Sequence, residues 1–481
     1  MIRGARKRFL TQPAPIRQGK LSRKTIHSLQ TFVRKKIAKM ISIGKLRRIP
    51  NDSDTSARTW LEHTNYTEAR KKELLEQLVD WTKFSTKRGE KDRKLVNKSF
   101  VKTEFYPEIK ELRCINGRTD AFKVRVGPIF KLIEKEIFKL TPFIKKVPVS
   151  DRAKYVNDLL NKPERKFMET DYSSFEALFT KEIMEAVEFQ VYNELTKELP
   201  EHEQFMDLIR TALLGTNVSQ FKEFTTKVEA TRMSGEMNTS LGNGLSNWLI
   251  MKYVAYRSKI KIKCVIEGDD GLISIPTSSN LKMKYFEKLG LVIKFDVYDD
   301  IQQTSFCGLT FDMLNNSIIT EPIGAMIKFF WLNGRYIQAS DLKLDILMRA
   351  KSLSYLYSYS QCPILRELAE YGMRMTNHIS TKQIEEVYST KNFDLYTREK
   401  MTEALLAKVP EKNILPTTRL IMEKKFGISI SDQLLIEEKL ASKNDVELID
   451  LGQFRPDLKF VYDKYVRPIN VADRWINYMF D

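Results

Sequence analysis

Apolar positions along the chain recur with two periods. From Lys24 to Arg48, residues Ile26, Leu29, Phe32, Val33, Ile37, Met40 and Ile41 share one helical face and cations take the other. Helical spacing returns at 73–84, at about 128–140, and then through 342–357, 364–375, 384–409 and 420–440. Strand-like stretches lie between. Residues 100–104, 110–118 and 121–127 alternate cations with apolar residues, which predicts strands presenting Lys and Arg along one groove. Residues 166–171 read as a buried strand, followed by a turn and a helix carrying Ile183, Val187 and Phe189. Residues 221–230 alternate again, and after a Ser234-Gly235 loop a helix should run through Tyr253. Residues 263–275 predict a hairpin around Gly268 and Gly271, both candidates for positive φ. A helix at 281–289, a strand at 291–296 and a hairpin across Asn315-Asn316 complete the pattern.

The hairpin at 263–275 carries the most pointed chemistry. Its tip sets Asp269 and Asp270 side by side, with Glu267 close by. Adjacent carboxylates repel, and a hard divalent cation such as Mg²⁺ is the natural partner for them. Such a site needs a third carboxylate. Asp171, at the end of a predicted strand, is the candidate. Thr239 and Asn243 are four residues apart and so share one helix face. With Ser234 they form a set able to hold a ribose hydroxyl, or else a capped polar helix.

Charge changes the picture next. The 481 residues carry a formal charge of +18 with 42% apolar and 30% charged residues, so a globular chain with an anionic partner is expected. Residues 1–50 hold fifteen Lys or Arg and no Asp or Glu, leaving about three net positives for all the rest. Three readings of this arm stand: a phosphate-binding arm, an interfacial helix for an anionic membrane, or an acid-poor targeting segment. Its opening lacks the apolar core of a secretory signal, and no apolar run is long enough to span a bilayer. Cys114, Cys264, Cys307 and Cys362 are far apart and suggest free thiols in a reducing compartment. The four histidines form no metal-binding spacing.

In this order the pieces resemble the RNA-dependent RNA polymerases of positive-strand RNA viruses, in the tombusvirus and nodavirus-like group. The likeness covers about residues 98–325. Basic motif F is similar to Lys102, Arg113 and Arg118, and motif A to Asp171 with Glu176. Motif B, SGxxxTxxxN, is matched by Ser234, Gly235, Thr239 and Asn243, and motif C by Gly268-Asp269-Asp270. Motif D would supply Lys294, and Phe306-Cys307-Gly308 resembles motif E. Motif A departs from the family at Glu176, where Asp is usual. The longer side chain would reach Asn243 only from a helix set slightly back.

The resemblance implies an α+β right-hand fold with an antiparallel palm sheet and a helical thumb. Fingers would span 51–165, the palm 166–325 with a fingers insert near 190–225, and the thumb 326–481, behind the 1–50 arm. It implies template-directed nucleotidyl transfer from NTPs by two metals, Mg²⁺ with Mn²⁺ able to substitute. Asp171, Asp269, Asp270 and the Tyr172 carbonyl would be the ligands. Lys102, Arg113 and Arg118 would meet triphosphate, Glu176, Ser234, Gly235, Thr239 and Asn243 would read the sugar, and Lys294 would protonate pyrophosphate. RNA template and product are the implied partners, with a host membrane surface or other replicase proteins as candidates for residues 1–50. The host cytoplasm, on membrane-associated replication complexes, is the implied location. A reverse transcriptase and a non-catalytic basic RNA-binding protein are the competing functions.

Overall fold

The computed structural model describes residues 2–11, 21–64, 66–78, 95–102, 111–330, 336, 338–388 and 395–445. They fall into two compact units, one of residues 1–102, 111–147 and 158–307, the other of 103–110, 148–157 and 308–481. The described residues mix helices with sheets whose strand pairs are antiparallel apart from one pair in the first unit.

The first unit carries β1 (Asn97–Val101), β2 (Cys114–Arg118), β3 (Arg165–Tyr172), β4 (Thr216–Gln220), β5 (Thr225–Glu229), β6 (Lys263–Glu267), β7 (Asp270–Pro276) and β8 (Ile293–Tyr298). One sheet has the order β2-β1-β4-β5, in which β1 and β4 run parallel. The other has the order β6-β7-β3-β8 and is antiparallel throughout. The β6–β7 hairpin forms where the sequence predicts it. Gly268 takes φ +62 at its turn, a conformation that favours glycine. Gly271 does not take positive φ; a Cβ there would meet Thr170 Oγ1 at 2.9 Å, so its role is close approach of β3. The Thr239–Ser258 helix packs on β6 and buries Leu241, Leu245, Trp248 and Leu249 in the main core.

Two expectations are corrected here. Residues 121–127 are helical: a single helix runs Asp120–Ile137 with Pro128 inside it. Phe122, Val126, Ile129, Phe130, Ile133 and Ile137 form its buried stripe, and this helical period outweighs the local alternation. The second concerns the arm. The Arg23–Ser42 helix forms as its periodicity predicts, with Ser22 capping its start. Its apolar face, however, lies in the protein's own main core, where Leu29 and Val33 are fully buried. Tyr253 Oη donates to the Thr25 carbonyl at 3.3 Å, and the Ile49 N–H donates to the Leu195 carbonyl at 2.8 Å. That face is therefore covered and cannot be the membrane-facing side of an interfacial helix. The cations stay outside, Arg48 pairing with Glu194 at 2.5 Å. No helix among the described residues is long and apolar enough to cross a membrane.

The second unit holds a hairpin of β9 (Thr310–Asp312) and β10 (Ser317–Ile319), turning at Asn316 with φ +48. Its other described residues are largely helical, including Asp341–Ser358, Leu365–Met375, Pro416–Phe426 and Ile430–Ser442. The expected 420–440 helix is thus two helices, broken at Gly427, whose φ of +70 ends the first. Ile323, Leu365, Leu368, Met422 and Ile436 centre its core. Residues 79–84, 103–104, 110, 389–394 and 446–481, on which parts of the predicted helices, strands and C-terminal region fall, lie outside the described residues.

Candidate active site

The site grows from the β6-β7-β3-β8 sheet. β3 lies between β7 and β8, with Thr170 opposite Gly271 and Asp171 opposite Lys294. The β3–β7 pairing ends at Thr170 and Gly271, and Asp171 and Asp270 are the next residues beyond that pair. The three expected carboxylates, Asp171, Asp269 and Asp270, thus reach one end of one sheet, all solvent-exposed. Asp270 reports their crowding. Partial desolvation by the surrounding protein, then the charges of Asp269, Glu267 and Asp171, push its carboxyl up to about 6, against a hydrogen bond from the Cys307 thiol. Among the described residues no three His, Cys, Asp or Glu side chains converge closely enough to hold a metal ion. The expected ligand set therefore shares one end of the sheet without its side chains converging. Chemically it remains a hard-oxygen set of like charges that a divalent cation would relieve.

A side chain that the sequence reading passed over holds the acidic turn. Asn247 Nδ2 donates to the carbonyls of Gly268, Asp269 and Asp270 at 3.3, 2.9 and 3.3 Å. Its Oδ1 accepts from Tyr172 Oη at 3.3 Å. One buried carboxamide so joins the Thr239–Ser258 helix, the turn and the residue after Asp171. Burial, helped by Asp269, pushes the Tyr172 phenol well above its usual range, so it stays a donor. The available signal was spacing, since Thr239, Asn243 and Asn247 follow at intervals of four.

The Ser234–Asn243 stretch is a tight loop leading into that helix. Gly235 sits at φ +112, and a Cβ would meet the Asn116 carbonyl at 3.1 Å. Thr239 Oγ1 accepts from the Gly235 N–H at 3.3 Å and donates to the Glu236 carbonyl at 3.0 Å, closing the loop. The Ser234 carbonyl accepts from the Asn116 N–H at 2.5 Å. Asn243 is buried, and its Oδ1 accepts from Arg232 Nε at 3.1 Å. Arg232 in turn forms a fully buried pair with Glu188, 2.6 Å apart, which the sequence did not reveal. Glu176 lies on a 3₁₀ turn, Phe175–Leu178, with its Oε2 3.9 Å from the Arg8 guanidinium.

The basic residues separate. Arg113 lines a narrow opening together with Arg8, Glu176, Arg232 and Ser234. Lys102 sits at the end of β1, its N–H bonded to the Arg113 carbonyl at 2.8 Å. Arg118 departs from expectation. It is 2% exposed, pairs with Glu236 at 2.7 Å, and donates also to Asn217 and to the carbonyls of Leu95 and Ala212. Its inward position on β2 engages its guanidinium in the core. Lys294 is exposed and pairs with Asp296 at 2.8 Å; that bond, and more weakly Asp171, holds its ammonium above the usual range.

A family model described as viral RNA dependent RNA polymerase matches residues 22–444. The chain belongs to the viral RNA-dependent RNA polymerase family. It is also 23% identical over 309 residues to a protein named RNA-directed RNA polymerase from Oat chlorotic stunt virus (isolate United Kingdom). That match covers 58% of this chain and 40% of the relative's length, so the chain corresponds to well under two thirds of it. The family match takes in the arm helix, the acidic sheet end and the described helices of the second unit.

Proposed function

We propose that this chain is the catalytic part of an RNA-dependent RNA polymerase that joins nucleoside triphosphates on an RNA template of a viral genome. The observation that carries it is Asp171 and the Asp269–Asp270 turn at one end of one sheet, tied to the Thr239–Ser258 helix through Asn247. In the right-hand description, the β6-β7-β3-β8 sheet is the palm and the C-terminal helices the thumb. Fingers at 51–165, palm at 166–325 with its insert near 190–225, and thumb at 326–481 remain our assignment.

Divalent metal ions are the usual cofactors of the family, and Mg²⁺ suits these oxygen donors best. Asp171, Asp269, Asp270 and the Tyr172 carbonyl would hold it. When bound, it supplies charge stabilisation for in-line phosphoryl transfer. The protein's own part is placement. Asn247 fixes the turn, Arg113 faces the triphosphate side, and Lys294 Nζ carries the proton for departing pyrophosphate. The Asn243 amide nitrogen and the Ser234 hydroxyl face the ribose, so a deoxynucleotide leaves polar groups unpaired and reacts more slowly.

A primer-extension assay with labelled NTPs, dNTPs and Mg²⁺ tests this reading against its rivals. RNA-templated extension with NTPs, abolished in Asp269→Ala with template binding retained, is expected. Extension preferring dNTPs would indicate a reverse transcriptase, and RNA binding with no extension a non-catalytic binder.

A further inference from the structure

The basic arm begins with a segment that reaches the opening described above. Ala5 and Phe9 are buried in a small cluster with Cys114, Phe221 and Met233. Gly4 lies against the Leu112 carbonyl so closely that no Cβ would fit. Lys7 pairs with Glu111 at 2.8 Å. The buried contacts of Gly4, Ala5 and Phe9 fix residues 2–10 as folded structure, with the exposed Lys7 pair adding little, and set Arg8 and Phe9 into the lining of the opening, beside Arg113, Glu176 and Ser234. Arg8 lies 3.9 Å from the Glu176 carboxylate and is one-third exposed. Of the other arginines near the opening, Arg232 is held by Glu188 and Arg118 is withdrawn into the core.

We propose that Arg8 is a nucleotide-positioning residue, orienting the Glu176 carboxylate toward the ribose and, with Arg113, presenting positive charge to a nucleoside triphosphate. This rests on the polymerase reading. It also gives the unusual length of Glu176 a use: the longer carboxylate reaches a cation supplied by the chain's own start. A guanidinium suits both tasks because its fork can serve a carboxylate and phosphate oxygens together. Residues 2–10 then belong to the active site, and the arm is not a separate tail.

The test uses the full chain as Arg8→Ala and Arg8→Lys, with Lys7→Ala as a control on the same segment. Circular dichroism melts confirm folding. Binding is read with a GTP analogue methylene-bridged between its α and β phosphates, and turnover with NTPs and dNTPs on a primed RNA template. Arg8→Ala should raise Kd and KM about tenfold, change kcat less than about twofold, and narrow the NTP-over-dNTP ratio. Arg8→Lys should recover part of KM, and Lys7→Ala should behave as wild type. An unchanged KM and sugar ratio in folded Arg8→Ala would overturn the proposal. So would faster turnover than wild type, which would mean that the segment obstructs the site, or equal loss in Lys7→Ala, which would mean that only segment packing matters. If no variant and no wild-type protein extends the primer, the polymerase reading fails by itself. Weaker analogue binding by Arg8→Ala would then still uphold Arg8 as a nucleotide contact, and unchanged binding would sink it.

Discussion

Asn247 gives the acidic turn its support, and its loss has a definite cost. Replacing it by Ala leaves the Tyr172 hydroxyl and three turn carbonyls without their partner. The Tyr172 hydroxyl is the buried one of the four, and stranding it costs about 1–3 kcal/mol. Asn247→Ala should therefore lower the melting temperature clearly and cut nucleotide incorporation by about 100-fold through misplacement of Asp269 and Asp270. Tyr172→Phe removes one partner only and should be milder; equal activity of Asn247→Ala and wild type would deny the support role. Asp270 adds a pH dependence. Its carboxyl, raised to about 6, binds a proton more tightly in the folded protein than in the unfolded one. That contribution to stability is fully present below about pH 4 and is lost as pH rises through about 6. A divalent cation competes with the same proton. Stabilisation of the melt by Mg²⁺ should thus be larger at about pH 7.5 than at about pH 5, and Asp270→Asn should flatten the difference. An equal Mg²⁺ effect at both values would argue against cation binding there. The carboxylates were legible because strand, turn and spacing are local. Asn247 was not, because its partners come from three separate stretches, and Arg118 misled because alternation along a strand does not tell which face turns inward.

Among elements, the Arg23–Ser42 helix decides how the arm should be understood. Its amphipathic period was plain in sequence, but an apolar face does not name what covers it. Here Leu29, Val33 and Ile37 enter the main core beside the Lys181–Ala186, Glu188–Thr196 and Thr239–Ser258 helices. Leu29→Ala should cost about 2–5 kcal/mol, read by urea unfolding. Deletion of residues 1–48 should yield misfolded or aggregated chain with no turnover on a short primed template. A soluble, fully active truncation would contradict this. The Asp120–Ile137 helix carries a similar lesson. Its first turn alternates like a strand, and only the continuing stripe through Ile137 reveals the helix, with Gly127 packed on the Trp60 ring.

For the molecule as a whole, the order of the segments carried most of the functional reading, because basic strand, acidic strand, loop–helix and acidic hairpin follow one another as in the viral polymerase family. What order could not convey is which cations face a ligand. The net charge of +18 favours an anionic partner, and affinity for long RNA should fall steeply and linearly on a log–log salt plot. The most direct measurement is single-nucleotide incorporation on a primed RNA in which only the first templating base is varied. The account predicts that the complementary NTP alone is joined for each of the four bases, and that Asp171→Asn and Asp269→Asn bind the same RNA yet join none. Addition without regard to the template base, or wild-type rates in either variant, would contradict it.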